Sequence, residues 1–564
     1  MLEWRMPKYL LLLLLVFPGP GVLHAALFEQ LAVSPVATAM GNAVTAYPPG
    51  ALAVHYNPAG LADIPGSRYD NGLAFTHTYR VVRFEQATDP LTGMPWAPFG
   101  KVDFKGFNNG IDPLDGKKGK QSSGYMVIPI IDYEIPYLAG AGMGISYKPP
   151  EPAYSRWTFG FGQYAPFAAG LKNSTGSSIS YLGQKAFFLR MILAAPAVAY
   201  KVSDTVSVGG SVGLGVSLFS FQTQMRNPNT MAALTGVLGQ ATEGLEIPVI
   251  SELTLPPPWF NGGMTPYATH GNLEVLVEDY FTTSYNLGML WKPLDWFSFG
   301  ACYQSESKTI MEGDFTLKYG PEFRRTVDWL GRSPLTIITA AIFDLPMKSV
   351  PSQKGTATVT MTWPARLQMG VALKPVKQVT MTCDANWTDW AAWPQLKIDF
   401  DQKIALLRFA RMLGYRYSVN SLVVNNKFKD TWHLSYGLEI KPIEKIAIRL
   451  GYDPRPTSCR DDLFGPVPFS NMQLFSGGIG IVEDSKPKPR PKNLHERLQQ
   501  LQKPNSIDIS VAYLKLKDKT VKSNTSKNLN STTFTDIVYN PYAGLDWSQD
   551  MSIWIFSLNQ TFKW

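Results

Sequence analysis

The six histidines, His24, His55, His77, His270, His433 and His495, are scattered along the chain. None stands at a spacing that would make a metal site or a Ser/His pair. The sequence therefore does not read as an enzyme, and neither a metal nor a cofactor is expected. The side chains that could do chemistry are cations set inside regularly patterned stretches: Arg190, Arg366, Arg449 and Lys308. A guanidinium or ammonium in an apolar interior would hold a carboxylate by charge-assisted hydrogen bonds. The same groups could instead pair with Asp384, Asp453 or Glu306 as structural ion pairs. Residue parity turns Arg366, Arg449 and Lys308 inward, whereas Pro196 disturbs the register near Arg190 and leaves its face open.

The elements that must position these cations are β-strands. Val379, Met381, Cys383, Ala385 and Trp387 alternate with Thr380, Thr382, Asp384 and Asn386. Trp432, Leu434, Tyr436, Leu438 and Ile440 alternate with polar residues in the same way, and so do Ile446, Ile448, Leu450 and Tyr452. This is the period of a strand with two unlike faces. A turn signal recurs at Tyr147-Lys148-Pro149, Tyr200-Lys201-Val202, Trp291-Lys292-Pro293, Leu373-Lys374-Pro375 and Ile440-Lys441-Pro442. The proline in most of these ends a ladder and pre-sets a turn. The alternate connections are long, chiefly about 222–272, 319–356 and 402–430. Counting strands predicts fourteen, roughly at 69–80, 125–147, 157–168, 187–200, 206–221, 273–291, 296–318, 357–373, 378–400, 431–440, 445–453, 473–482, 506–517 and 549–564. The second and ninth are too long and irregular to be single clean strands.

Composition narrows the class. Charged residues are 17% and aromatics 12%, and no run of eighteen apolar residues exists. A chain that enters a membrane without such a run must close into a barrel, because only closure pairs every backbone group. Short turns on one rim and long loops on the other fit a bacterial outer-membrane barrel. Arg5 and Lys8, the apolar run Tyr9 to Phe17, and the small residues Ala25 and Ala26 read as a signal peptide over 1–25. Three cysteines, Cys302, Cys383 and Cys459, do not make a disulfide framework. A net charge of +8 without basic, aromatic-interleaved blocks points away from nucleic acid. The final stretch carries Trp554, Phe556, Leu558 and Phe562 on one face and ends at Trp564, as a closing strand would. The basic, proline-rich stretch 483–505 is expected as an exposed periplasmic insertion.

Residues 36–66 are rich in Ala, Gly and Pro and nearly free of charge. They suit a compact, non-repetitive plug. Ala39-Met40-Gly41-Asn42-Ala43 and Asn57-Pro58-Ala59-Gly60-Leu61 resemble the N-terminal hatch of the FadL/TodX family, outer-membrane transporters of long-chain fatty acids and aromatic hydrocarbons. The order of later segments resembles it too: Phe187–Leu218, Tyr285–Gly313, Trp363-Pro364-Ala365, Trp387-Thr388-Asp389-Trp390, Arg449-Leu450-Gly451-Tyr452-Asp453 and Asp508.

The resemblance implies an all-β fold: a transmembrane antiparallel β-barrel over 69–564, plugged by a hatch over 26–68. It implies a passive uptake channel for hydrophobic compounds in the bacterial outer membrane, gated by the hatch and opening sideways into the bilayer. The alternative is a structural or adhesive barrel with no specific substrate. Gating would fall to Asn57, Pro58, Ala59 and Gly60, and the side exit to a strand kink at Ala165, Pro166 and Phe167. An outer apolar groove would draw on Leu234, Leu238, Trp259, Phe260, Trp329, Ile337, Ile338 and Phe343, which could equally pack together to seal the barrel top. The implied partners are fatty acids or hydrocarbons, outer-membrane lipids, and the barrel assembly machinery through the strand ending at Trp564. A monomer is implied.

Overall fold

The computed structural model describes residues 33–88, 111–121, 124–174, 176–181, 183–228, 230–245, 247–250, 253–255, 259–412, 417–425, 428–458, 470–483, 488–489, 496, 503–521, 541–542 and 544–564. The signal-peptide stretch, Cys459 and most of the 483–505 insertion lie outside them.

Fourteen antiparallel strands close into one barrel. They are β1 (Ser67–Gln86), β2 (Leu138–Tyr147), β3 (Trp157–Lys172), β4 (Lys185–Lys201), β5 (Val206–Met225), β6 (Gly271–Leu294), β7 (Phe297–Gln304 and Ser307–Tyr319) and β8 (Ser352–Trp363 and Arg366–Val376). The remainder are β9 (Val379–Thr388 and Gln395–Phe400), β10 (Ser421–Asn425 and Thr431–Ile443), β11 (Ile446–Arg455), β12 (Met472–Val482), β13 (Ser506–Leu516) and β14 (Leu545–Lys563). β14 pairs with β1 from Arg68↔Lys563 to Gln86↔Leu545, so no edge is left open there. Alternation does what the pattern requires. Thr380, Thr382, Asp384 and Asn386 are buried inside, while Met381, Tyr436, Ile448 and Leu450 are exposed on the outer face.

One inward assignment is corrected. Gln304 pairs with Arg366 and Ser307 with Trp363 in one register, but Ser305-Glu306 and the facing Pro364-Ala365 lie outside the ladder. Ser305 donates its backbone N–H to the carbonyl of Tyr285 at 2.9 Å. Across this break the buried face of β7 changes from even-numbered to odd-numbered positions, and that of β8 changes with it. Ser307, Thr309 and Met311 turn inward, and Glu306 and Lys308 point outward, exposed. Lys308 therefore cannot meet a ligand in the lumen.

Residues 33–66 fill the lumen as short helical pieces: α1 (Pro35–Ala39), α2 (Ala53–Tyr56) and 3-10 turns at Gly50–Leu52 and Pro58–Asp63. Proline at the first helical positions and caps by Ser34 and Asn57 explain why these pieces begin where they do. The wall accepts the plug because glycines face it. At Gly72 and Gly478 a Cβ would meet Pro35 and Ala39 at 2.9 and 2.8 Å, and at Gly209 it would strike Pro58. Gly41 takes a positive φ of 61° where it touches β10 and β11, which is why no side chain is carried there.

Candidate functional site

The hatch motif is held by its asparagine. Asn57 Nδ2 donates to the carbonyls of Thr45 at 2.8 Å and Met289 at 3.0 Å, and its Oδ1 accepts from Ala59 N at 3.2 Å. Asn57 is wholly buried, and Gly288 on β6 leaves the space it occupies. Pro58, Ala59 and Gly60 then run beneath β5 and β6. Thr45, in the loop held by Asn57, donates its N–H to Asp384 of β9 at 2.8 Å.

Above the hatch, β3–β8 and the outer helices α3 (Thr230–Ala241), α4 (Pro321–Leu330), α5 (Pro334–Ile342) and α6 (Ala405–Met412) surround the largest apolar cluster. It runs from Phe323 and Trp329 at the top, through Met311 and Val275, down to Phe219, Trp363 and Phe167. At its foot lies Arg190, directly opposite Phe167 in the β3–β4 ladder and Ser217 in the β4–β5 ladder. Ser217 accepts from Trp363 Nε1 at 2.9 Å, which turns this face of β4 and β5 inward and fixes Arg190 in the lumen. Arg190 is buried, and its Nε and Nη2 meet no hydrogen-bond acceptor among the described residues. Below it, His55 of the hatch stacks against Tyr164 with centroids 4.6 Å apart, within the fields of both Arg190 and Arg366.

The four cations of the sequence reading thus separate. Arg190 and Arg366 are both buried and both lie near His55 of the hatch segment. Lys308 is outside. Arg449 is engaged by Glu439 and Asp508, each at 2.7 Å, on the periplasmic side of the hatch. It lines a polar cavity of about 260 Å³ there and is no free partner for a ligand.

The kink region is irregular, as a proline at 166 would make it. The β3–β4 register shifts twice between Gly162 and Phe167. On its other edge β3 pairs with β2 only from Phe159↔Tyr147 to Gln163↔Met143. Above that, β2 and β3 part, leaving one isolated bridge between Gly124 and Leu171. A cavity of about 40 Å³ lies in this seam, lined by Thr76, Leu138, Gly140, Ala165, Ala169 and Ile553, among others. It has room for about one water, not for a ligand, so the seam is closed.

The outer apolar set is divided. Trp329 is buried, its ring tilted against that of Phe260 with centroids 4.8 Å apart, while Leu234, Leu238, Trp259 and Phe260 are half-buried. These seal the barrel top. Of this set, only Ile337, Ile338 and Phe343, on and after α5, are exposed. His270, at the foot of this cap, is buried, and burial pushes its pKa down to about 4. A group so depressed stays neutral in the folded cap but takes a proton in the open one. Stability of the cap is therefore full above pH ~6.5 and falls by up to about 3 kcal/mol as pH drops toward 4. Hydrogen exchange of 264–270 and 321–330 should be faster at pH 5 than at pH 7, and His270→Leu should remove the difference.

Sequence reasoning missed a fourth arginine. Arg226, just after β5, makes two hydrogen bonds to Asp112 at 2.9 and 2.8 Å beneath the outer loops. Nothing local signals it, because its partner is far away in the chain. Among the described residues no group of His, Cys, Asp and Glu gathers as a metal site would require.

The model of the family described as outer membrane protein transport protein (OMPP1/FadL/TodX) matches residues 146–490, more than half of the chain. No curated protein sequence matches. Among solved structures, the FadL homologue of Pseudomonas aeruginosa is 15% identical, with a TM-score of 0.62 over 95% of this chain and 100% of that one. The Ralstonia pickettii toluene transporter TbuX is 16% identical, TM-score 0.52, over 95% and 100% of the two chains. The P. putida toluene transporter TodX is 14% identical, TM-score 0.55, over 94% and 99%. At such identities the likeness speaks for the fold alone.

Proposed function

Because this chain belongs to the OMPP1/FadL/TodX family of outer-membrane transport proteins, we propose that it is a passive uptake channel for long-chain fatty acids. The observation that carries this reading is Arg190, buried and without an acceptor at the foot of the apolar cluster. An unpaired cation away from water costs several kcal/mol, so a site that keeps one favours an anion. An alkyl chain along the cluster would put a carboxylate at Arg190, with Arg366 adding to the field. Ile337, Ile338 and Phe343 would collect the ligand outside. Displacement of Asn57 to Gly60 would clear the lumen below. The seam beside Ala165, Pro166 and Phe167 lies level with Arg190 and would release the ligand sideways into the membrane.

The test is binding of a long-chain fatty acid, its methyl ester and an alkylbenzene to the purified protein. The acid should bind most tightly. Arg190→Met should weaken the acid by about 10- to 100-fold, the worth of a charged hydrogen bond, and leave the ester unchanged. A preference for the two uncharged ligands would move the assignment to hydrocarbons. No binding of any of them would leave a structural barrel as the better account.

A further inference from the structure

The chain between β1 and β2 does not stay above the barrel. Residues 124–137 fold as a small hairpin, Met126–Ile128 against Tyr133–Ile135, and lie on the outer surface of the wall. Three observations place them there. Tyr125 and Val127 pack on Phe187, Leu189 and Leu218. In the β4–β5 ladder these have the opposite parity to Arg190 and Ser217, which face the lumen. Val208 and Val212, which share the parity of Leu218 lower on β5, are 40% and 51% exposed, whereas Leu218 is fully covered. At the hairpin tip the N–H of Ile130 reaches Glu278, the outward partner of Leu218 on β6.

The hairpin leaves the wall at the seam. Gly124 bridges Leu171 of β3, and a Cβ on Gly170 would strike the carbonyl of Tyr125, so glycine is what lets the strap cross so closely. It is fastened by polar clasps. Glu134 pairs with Lys185 at 2.5 Å, and Tyr125 shares a hydrogen bond with Glu134 at 3.0 Å. Its largest exposed side chains are apolar, with Ile130 and Ile131 each 66% exposed and Tyr133 64%, beside Tyr280 and Phe281 on the β6 bulge; Asp132 and Glu134 are the charged residues exposed among them. Large apolar side chains this exposed, on the lipid-facing side of a transmembrane wall, match the surrounding acyl chains and not water.

We propose that residues 124–137 form a membrane-seated flap that closes the outer end of the β2–β3 seam, with lipid acyl chains as the partner of Ile130, Ile131 and Tyr133. The flap rests on the transport reading for its gating role, since it covers the exit assigned there. It does not rest on that reading for its seat in lipid.

The experiment uses the full chain in lipid vesicles with Cys302, Cys383 and Cys459 replaced by serine. An environment-sensitive fluorophore on Ile131→Cys should be quenched by acyl-brominated lipid as strongly as one on Leu287→Cys, an exposed wall position. Quenching no stronger than at Asp204→Cys, in an exposed turn, would overturn the flap. In a second arm, Glu134→Cys with Lys185→Cys is bridged by a cleavable bis-maleimide. Transport of a labelled long-chain fatty acid should fall to the leak of empty vesicles while binding is kept, and cleavage should restore it. Unchanged transport under the bridge would overturn the gate. If the unbridged protein neither binds nor carries the acid, the transport reading fails instead, and quenching at Ile131 alone decides the flap.

Discussion

Arg449→Ala should destabilise the barrel by about 3–5 kcal/mol and leave fatty-acid affinity unchanged, the reverse of what Arg190→Met does. The reason is what each guanidinium touches. Arg449 Nε meets Glu439 and its Nη1 meets Asp508, both at 2.7 Å, joining β10, β11 and β13 along the inner face of the wall. Glu439 also accepts from Tyr47 of the hatch at 3.0 Å and pairs with Lys441 at 2.9 Å. Truncating the arginine leaves Asp508, among the described residues, with a hydrogen bond from Asn559 at 3.4 Å and the more distant field of Arg68 in place of a direct ion pair. A buried carboxylate without its cation is what makes such losses large, more than any intrinsic strength of the pair. Replacing all three, Arg449→Met with Glu439→Gln and Asp508→Asn, should recover most of the loss. Urea unfolding in detergent reads the stability, and the ligand panel reads the affinity. A drop in acid affinity with stability intact would return Arg449 to the list of ligand partners.

The contrast shows which parts of the site are legible in a sequence. Alternation with period two puts Arg366, Asp384 and Arg449 inside, and the structure keeps them inside. The same counting fails at Lys308, because the ladder is interrupted at Ser305-Glu306 and the inward face changes there from even to odd positions without a mark in the hydrophobic pattern of β7. Pro166 does mark its irregularity, since a proline must forfeit a ladder bond. Parity says where a cation points but not what it meets. Arg449 and Asp508 meet only once β11, β12 and β13 pair, and nothing near Arg190 in the chain tells that its Nε and Nη2 find no acceptor among the described residues. The stretch 125–147 is counted as one of the fourteen strands although it is too long and irregular for a single clean one. Only the last part, Leu138–Tyr147, enters the barrel, and Pro129 and Pro136 break the rest into the outer hairpin.

The extracellular cap should depend on Arg226 as the periplasmic side depends on Arg449. Arg226 and Asp112 are each about 1% exposed at the side chain and meet through both guanidinium Nη atoms. Arg226 Nε donates to the carbonyl of Pro541 at 2.5 Å. The guanidinium lies over the rings of Tyr181, Tyr542 and Tyr267 at 4.8, 5.4 and 5.6 Å. Those partners come from the β1–β2, β3–β4, β5–β6 and β13–β14 connections, so one side chain ties four loops. Arg226→Ala should cost the cap about 3–5 kcal/mol, because it leaves Asp112 buried without a cation. Arg226→Lys should rescue little of this, since an ammonium cannot make the forked contact or stack on three rings. The double change Arg226→Met with Asp112→Leu should restore most of it. Proteolysis from outside, on protein in vesicles, separates this from global unfolding: the single variants should be nicked in these loops while the β1–β14 closure keeps the barrel folded. If Arg226→Ala is no more readily cut than the wild type, the four loops are held by their apolar contacts, and the cap does not hinge on this ion pair.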